Sequence, residues 1–310
     1  MGKTSIEWTD ETWNPLRGCS RETQGCMRCY AEQVARRFSG KGQPYEGLVA
    51  FTSQGAKWTG VVQTVPGKLA EPLQWKQPRA VFVNSMSDLF HPAVPFEYIA
   101  AVFGAMALAP AHTFQVLTKR VQRMRDFCRW AAGEGARARA ARDLCVTQFQ
   151  LQAGDLPARL AHRVGRGLEG TRQGAQRWPL PNALLGASVE DQPCADMRRD
   201  ALRAVSDLGW KTWVSYEPAL GPVSWSGWEF ITWMVSGGKS GPKARLTRPE
   251  WHRAARDWCC AAHVPYCFKQ WGAWLPHERE GEVTGFANVG KRAAGRLLDG
   301  HLHDAMPFAG

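Results

Sequence analysis

Six short runs of apolar and β-branched residues punctuate the chain, and each gives way at once to a polar or charged cluster. They are Ala80–Asn84 before SMSD, Thr113–Leu117 before TKR, Leu184–Ala187 before SVED, Lys211–Val214 before SYEP, Ile231–Val235 before SGGKSG and Val264–Phe268 before KQWG. Runs of this length, apolar on both faces and closed by turn residues, predict buried parallel strands. Between them the apolar positions recur with helical spacing, predicting helices over Phe96–Leu108, Val121–Ala131, Ala195–Leu208 and Pro249–Ala262. Alternating strands and helices predict an α/β fold, a complete or partial (β/α) barrel. In such a barrel the polar clusters after the strands gather on one face, where active sites form.

One stretch breaks this rhythm. Residues 131–178 are rich in Ala, Arg, Gly and Gln, and read as an insert of surface helices with loose flanks. Residues 277–310 read as a C-terminal extension, leaving 1–310 as a single barrel domain. Hydrophobic residues make up 44% of the 310, enough to bury a core. No run of eighteen apolar residues is present and the N-terminus lacks a signal-peptide layout, so the expectation is a cytoplasmic protein with no membrane partner.

Charge and cysteine usage sharpen the picture. The formal charge of +11 and the 15 tryptophans suit a polyanionic, stackable partner, and nucleic acid is the expected one. Three of the nine cysteines lie within eleven residues, as Cys19-SRETQG-Cys26-MR-Cys29. In a reducing compartment such crowding points to metal ligation before disulfides. Structural zinc asks for four protein ligands, and no second C-x2-C pair follows. Three ligands suit a 4Fe–4S cluster with one iron open to chemistry. The helix expected over Ala31–Phe38 begins just after Cys29, so the triad falls between the end of a strand and the start of a helix.

A cysteine triad after the first strand of a βα barrel resembles the radical S-adenosylmethionine enzymes. Their usual spacing is C-x3-C-x2-C, and here the first gap is longer, as in variant members. Their aromatic residue before the third cysteine is replaced by Arg28, with Tyr30 following instead. The segments GCMRCYAEQVARR, VFVNSMSDLFHPAVP, LLGASVEDQ, SYEPALGPV and SGGKSGPKAR are also similar to a phage and prophage family of unknown function. That likeness implies a prophage-encoded protein of the bacterial host cytoplasm.

The resemblance implies a barrel of the radical S-adenosylmethionine type and a set of roles. Cys19, Cys26 and Cys29 hold the cluster, and its open iron chelates S-adenosylmethionine. Tyr30 flanks the nucleoside; Ser85, Ser87 and Asp88 accept from the methionine ammonium; Lys119 or Arg120 answers its carboxylate. Ser188 and Glu190 meet the ribose, and Gly237 and Gly238 give adenine close access to backbone. Tyr216, Glu217, Lys269 and Gln270 are left to face the substrate as catalytic groups. An electron donor such as a flavodoxin or ferredoxin is implied, and the expected substrate is a base of DNA undergoing modification, such as rearrangement of a modified thymine, or repair. Two alternatives stand beside this reading: the same chemistry on a small molecule or peptide, and a non-catalytic nucleic-acid-binding protein stapled by a metal. The last asks for a fourth protein ligand, for which His91 is the nearest candidate.

Overall fold

The computed structural model describes residues 4, 6–53, 55–133, 138–162, 164, 178–241 and 243–307. Seven strands form one sheet: β1 (Glu11–Trp13), β2 (Ala80–Val83), β3 (Thr113–Thr118), β4 (Ala183–Ser188), β5 (Lys211–Tyr216), β6 (Trp233–Gly237) and β7 (Tyr266–Gln270). All neighbouring pairs are parallel, and the spatial order is the sequence order. Each return connection therefore crosses the same face of the sheet, and the sheet curls into an open half-barrel. The expected α/β architecture is present in this partial form.

The helices are α1 (Tyr30–Arg36), α2 (Phe96–Leu108), α3 (Val121–Ala132), α4 (Ala138–Ala153), α5 (Gln192–Asp207) and α6 (Pro249–Ala261). Local chemistry explains several boundaries. The Asp191 carboxylate accepts the Cys194 N–H (3.0 Å) and caps α5, whose first turn also carries a proline. Pro249 opens α6 in the same way. Every residue of α2 from Tyr98 to Leu108 is buried, because one side meets the sheet and another meets α4.

Side chains alternate along the strands as the pleat requires. Val81, Val83, Phe114, Val116, Leu185, Val214, Met234 and Phe268 face the helices in the main core. Phe82, Leu184, Trp213, Trp233, Val235 and Cys267 point inward, where Trp8 fills the hollow of the half-barrel. Gly186 is obligatory at this inner face. A Cβ there would lie 2.4 Å from the Trp213 indole, which itself stacks on Trp233 with centroids 4.9 Å apart.

The segment after α3 contains α4, which packs one face on α2, with Cys145, Val146 and Phe149 fully buried and Leu151 69% exposed. Gly104 permits the approach, since a Cβ would fall 2.1 Å from the Cys145 carbonyl oxygen. The Arg- and Gly-rich flank at 165–177 lies outside the described residues. The tryptophans are not a stacking surface. Eleven of the fifteen are buried in the core and the remaining four are half-buried.

Candidate functional site

The strand ends do assemble on one face, but their charges are mostly spent on one another. After β2, the Asp88 carboxylate accepts from Thr118 Oγ1 (2.7 Å), the Phe90 N–H (3.0 Å) and the Arg120 guanidinium (2.8 Å). Arg120 also donates to the Ser20 carbonyl oxygen (3.0 Å), tying the cysteine loop to β3. After β4, Glu190 lies between Lys119 and Arg198, with Arg198 donating at 2.8 Å. Burial alone would raise the Glu190 carboxyl, but Lys119 and Arg198 hold it at about 2. After β5 and β7, Glu217 accepts from Lys269 (2.7 Å).

The residues expected to cradle S-adenosylmethionine are engaged in the same way. The Ser85 hydroxyl meets the Asn14 side chain (3.2 Å), Ser87 Oγ donates to the Leu16 carbonyl (3.1 Å), and the Tyr30 hydroxyl donates to the Ser85 carbonyl. Ser188 is buried on the inner face, its carbonyl accepting from Arg198 (2.6 Å). The Gly237 carbonyl accepts the Ala219 N–H (3.0 Å). Gly238 is a glycine because its neighbour is close: a Cβ would stand 2.0 Å from the Trp271 carbonyl oxygen. Of the four expected catalytic groups, only Glu217 and Lys269 are together near the mouth. Tyr216 is fully buried on the helix side, its hydroxyl donating to the Gly221 carbonyl, and Gln270 is buried as well.

The cysteine reading is overturned. Among the described residues, no three His, Cys, Asp or Glu side chains stand where they could share a metal ion. Cys19 and Cys29 instead pack against the small core of Ala31, Ala35, Leu48, Val49 and Trp58. Burial, with the nearby Asp88 carboxylate, pushes the Cys19 thiol up to about 12, and burial raises the Cys29 thiol too. The Cys26 sulfur accepts the Glu22 N–H (3.4 Å). His91 is no fourth ligand either. Its Nδ1 accepts the Ala93 N–H (3.2 Å), which leaves Nε2–H facing Ser20 Oγ (2.9 Å).

With the cluster go S-adenosylmethionine as cofactor, the radical enzyme assignment and the metal staple. What remains of that resemblance is the partial barrel.

A different feature stands out beside the cysteine loop. A cavity of about 490 Å³ is lined by Arg21, Arg28, Lys239, Lys243 and Arg245, with Gln24, Gln33, Ser53, Met27 and Ala56 completing the wall. Among the described residues no carboxylate lines it. Arg21 is neutralised by a bidentate bond to the buried Glu32 (both contacts 2.8 Å), but the other four have no ion-pair partner among the described residues. Burial, followed by the neighbouring Arg28, lowers the Arg245 guanidinium from its ordinary value; burial also lowers the Lys239 ammonium. These are cations held beside cations.

The loops carrying them brace one another. Lys239 Nζ donates to the Gly25 (3.2 Å) and Met27 (2.7 Å) carbonyls, Arg245 to that of Gln24 (2.7 Å), and Arg28 to that of Lys243 (2.7 Å). Arg28 (φ 56°) and Lys243 (φ 55°) both adopt the left-handed region, unusual for residues with a side chain. The sequence reading missed this site. The signal was in the two loops RETQGCMR and GGKSGPKAR, whose basic residues meet only once β6 is brought beside the cysteine loop.

Fold and site together define an open α/β half-barrel with a basic cavity built from its N-terminal loop and the loop after β6. A family model described as "Protein of unknown function (DUF5131)" matches residues 3–307, and the chain belongs to that family. No curated protein matches the chain, and no solved structure does. No described helix is long and apolar enough to cross a membrane.

Proposed function

We propose that this protein binds nucleic acid, its phosphates seated against Arg28, Lys239, Lys243 and Arg245. The observation that carries the reading is a cavity lined by five cations and no carboxylate, in a chain of net charge +11. Four cations without ion-pair partners repel one another, and an anion bridging them relieves that repulsion. Phe51, paired with the wall residue Ala56 across the hairpin Val49–Thr52/Gly55–Trp58, is 66% exposed, with the Arg36 guanidinium 5.6 Å from its ring centroid; an exposed ring of this kind suits a base. All nine cysteines are free thiols, which fits a reducing, nucleic-acid-containing compartment such as the bacterial cytoplasm.

The test is fluorescence anisotropy of a labelled single-stranded 20-mer across a salt series. Four phosphate contacts predict a log–log salt slope of about −3, each contact contributing roughly 0.7. Arg28→Ala with Lys243→Ala should flatten the slope by about 1.4. A wild-type slope shallower than −1, or a double variant that binds like wild type, would remove the cavity from the reading.

A further inference from the structure

We infer that the cavity receives a single nucleotide turned out of its strand, not a length of paired duplex; this rests on the nucleic-acid reading and narrows it. The first argument is size. A volume of about 490 Å³ is equivalent to a sphere roughly 10 Å across, within the range of pockets that enclose one small ligand. A paired duplex cannot enter a space narrower than its own major groove, about 12 Å.

The second argument is the chemistry of the wall. A purely electrostatic clamp on a backbone needs only cations. Here Gln24, Gln33 and Ser53 stand among them, each offering both donors and acceptors. Those groups suit the edge of a base, and a glutamine amide can pair bidentately with one. Met27, 36% exposed in the same wall, supplies a polarizable apolar face against which a base can lie. Backbone charge, base edge and base face are thus all matched within one nucleotide's reach.

The third argument is preorganisation. Gly25 anchors the loop against Glu190, where a Cβ would come within 2.3 Å of the carboxylate, and Thr23 Oγ1 donates to the same carboxylate (3.0 Å). Lys239 and Arg245 hold the carbonyls of residues 24, 25 and 27 from the other side. The strained φ values of Arg28 and Lys243 fall on two wall residues hydrogen-bonded to each other. A wall fixed in this way before the ligand arrives loses little freedom on binding, and strain of this kind gathers at ligand clamps.

The experiment compares three labelled probes of one sequence by anisotropy on the full chain: a perfect duplex, the duplex with one unpaired bulged nucleotide, and the single strand. The bulged and single-stranded probes should bind at least tenfold tighter than the perfect duplex. Met27→Ala with Gln33→Ala should cut that preference below threefold, and an unchanged thermal unfolding midpoint shows that the variant is folded. Equal affinity for all three probes overturns the inference but leaves nucleic-acid binding standing. Failure of every probe to bind removes both. Displacement of the bulged probe by micromolar mononucleotide overturns the strand-borne form in favour of a free nucleotide.

Discussion

Glu190 is where one atom's charge should matter most. Its side chain is 1% exposed, and it pairs with both Lys119 and the fully buried Arg198. Glu190→Gln keeps the shape and removes the charge, leaving Arg198 enclosed without a counterion. Breaking a buried ion pair from one side costs on the order of 3–5 kcal/mol. The titration gives the same scale. A carboxyl held at about 2 against an ordinary 4.5 corresponds to roughly 3 kcal/mol of preference for the charged form.

The folded-state value lies below the unfolded one, so this stabilisation is complete above about pH 4.5 and is lost as the pH falls towards 2. Urea unfolding followed by tryptophan fluorescence suits the measurement, because the tryptophans sit in the core. At pH 7 the variant should be less stable by about 3 kcal/mol, and the gap to wild type should close as the pH approaches 2.5. A gap below about 1 kcal/mol at pH 7, or one that does not change with pH, would refute the ion-pair account. Because Thr23 and Gly25 lean on the same carboxylate, the variant should also weaken binding at the basic cavity.

Two further outcomes follow from buried groups. His252 is fully enclosed between Ser236 Oγ (3.0 Å) and Thr247 Oγ1 (2.8 Å), and burial lowers it to about 3. Its neutral form is favoured in the fold, so stability should begin to fall below about pH 6.5 and lose about 3 kcal/mol by pH 4. His252→Gln, compared with wild type from pH 7 to pH 4, should abolish that share of the slope; parallel curves would sink the assignment. Gly186→Ala should cost about 1–3 kcal/mol by forcing Trp213 off its stack with Trp233, and an unchanged thermal midpoint would show that the inner face has room to spare.

The periodicity of the chain was enough to find α2 at Phe96–Leu108 and to place β2 and β3 within a residue or two. Those elements are strongly patterned, and pattern is what a linear reading sees. β6 and β7 begin two residues later than the apolar runs suggest, at Trp233 and Tyr266, because the leading residues of each run pack outside the ladder. Half-barrel closure, the burial of α4 and the inward turn of the tryptophans depend on which faces meet, and no single segment encodes that.

The site divides along the same line. Composition alone gave the basic charge and, with it, the polyanion expectation; spacing alone gave the crowding of Cys19, Cys26 and Cys29. Whether thiols share a metal depends on three directions in space, and the fold packs two of them, half-buried, against a small apolar core. Whether strand-end charges are free depends on their neighbours, and Lys119 and Arg198 both pair with Glu190. The cations left over, Arg28 from one end of the chain and Lys239, Lys243 and Arg245 from the other, are over two hundred residues apart in sequence. Coulomb's law acts on distance in space, so only tertiary structure could decide which charges cancel and which remain for a ligand.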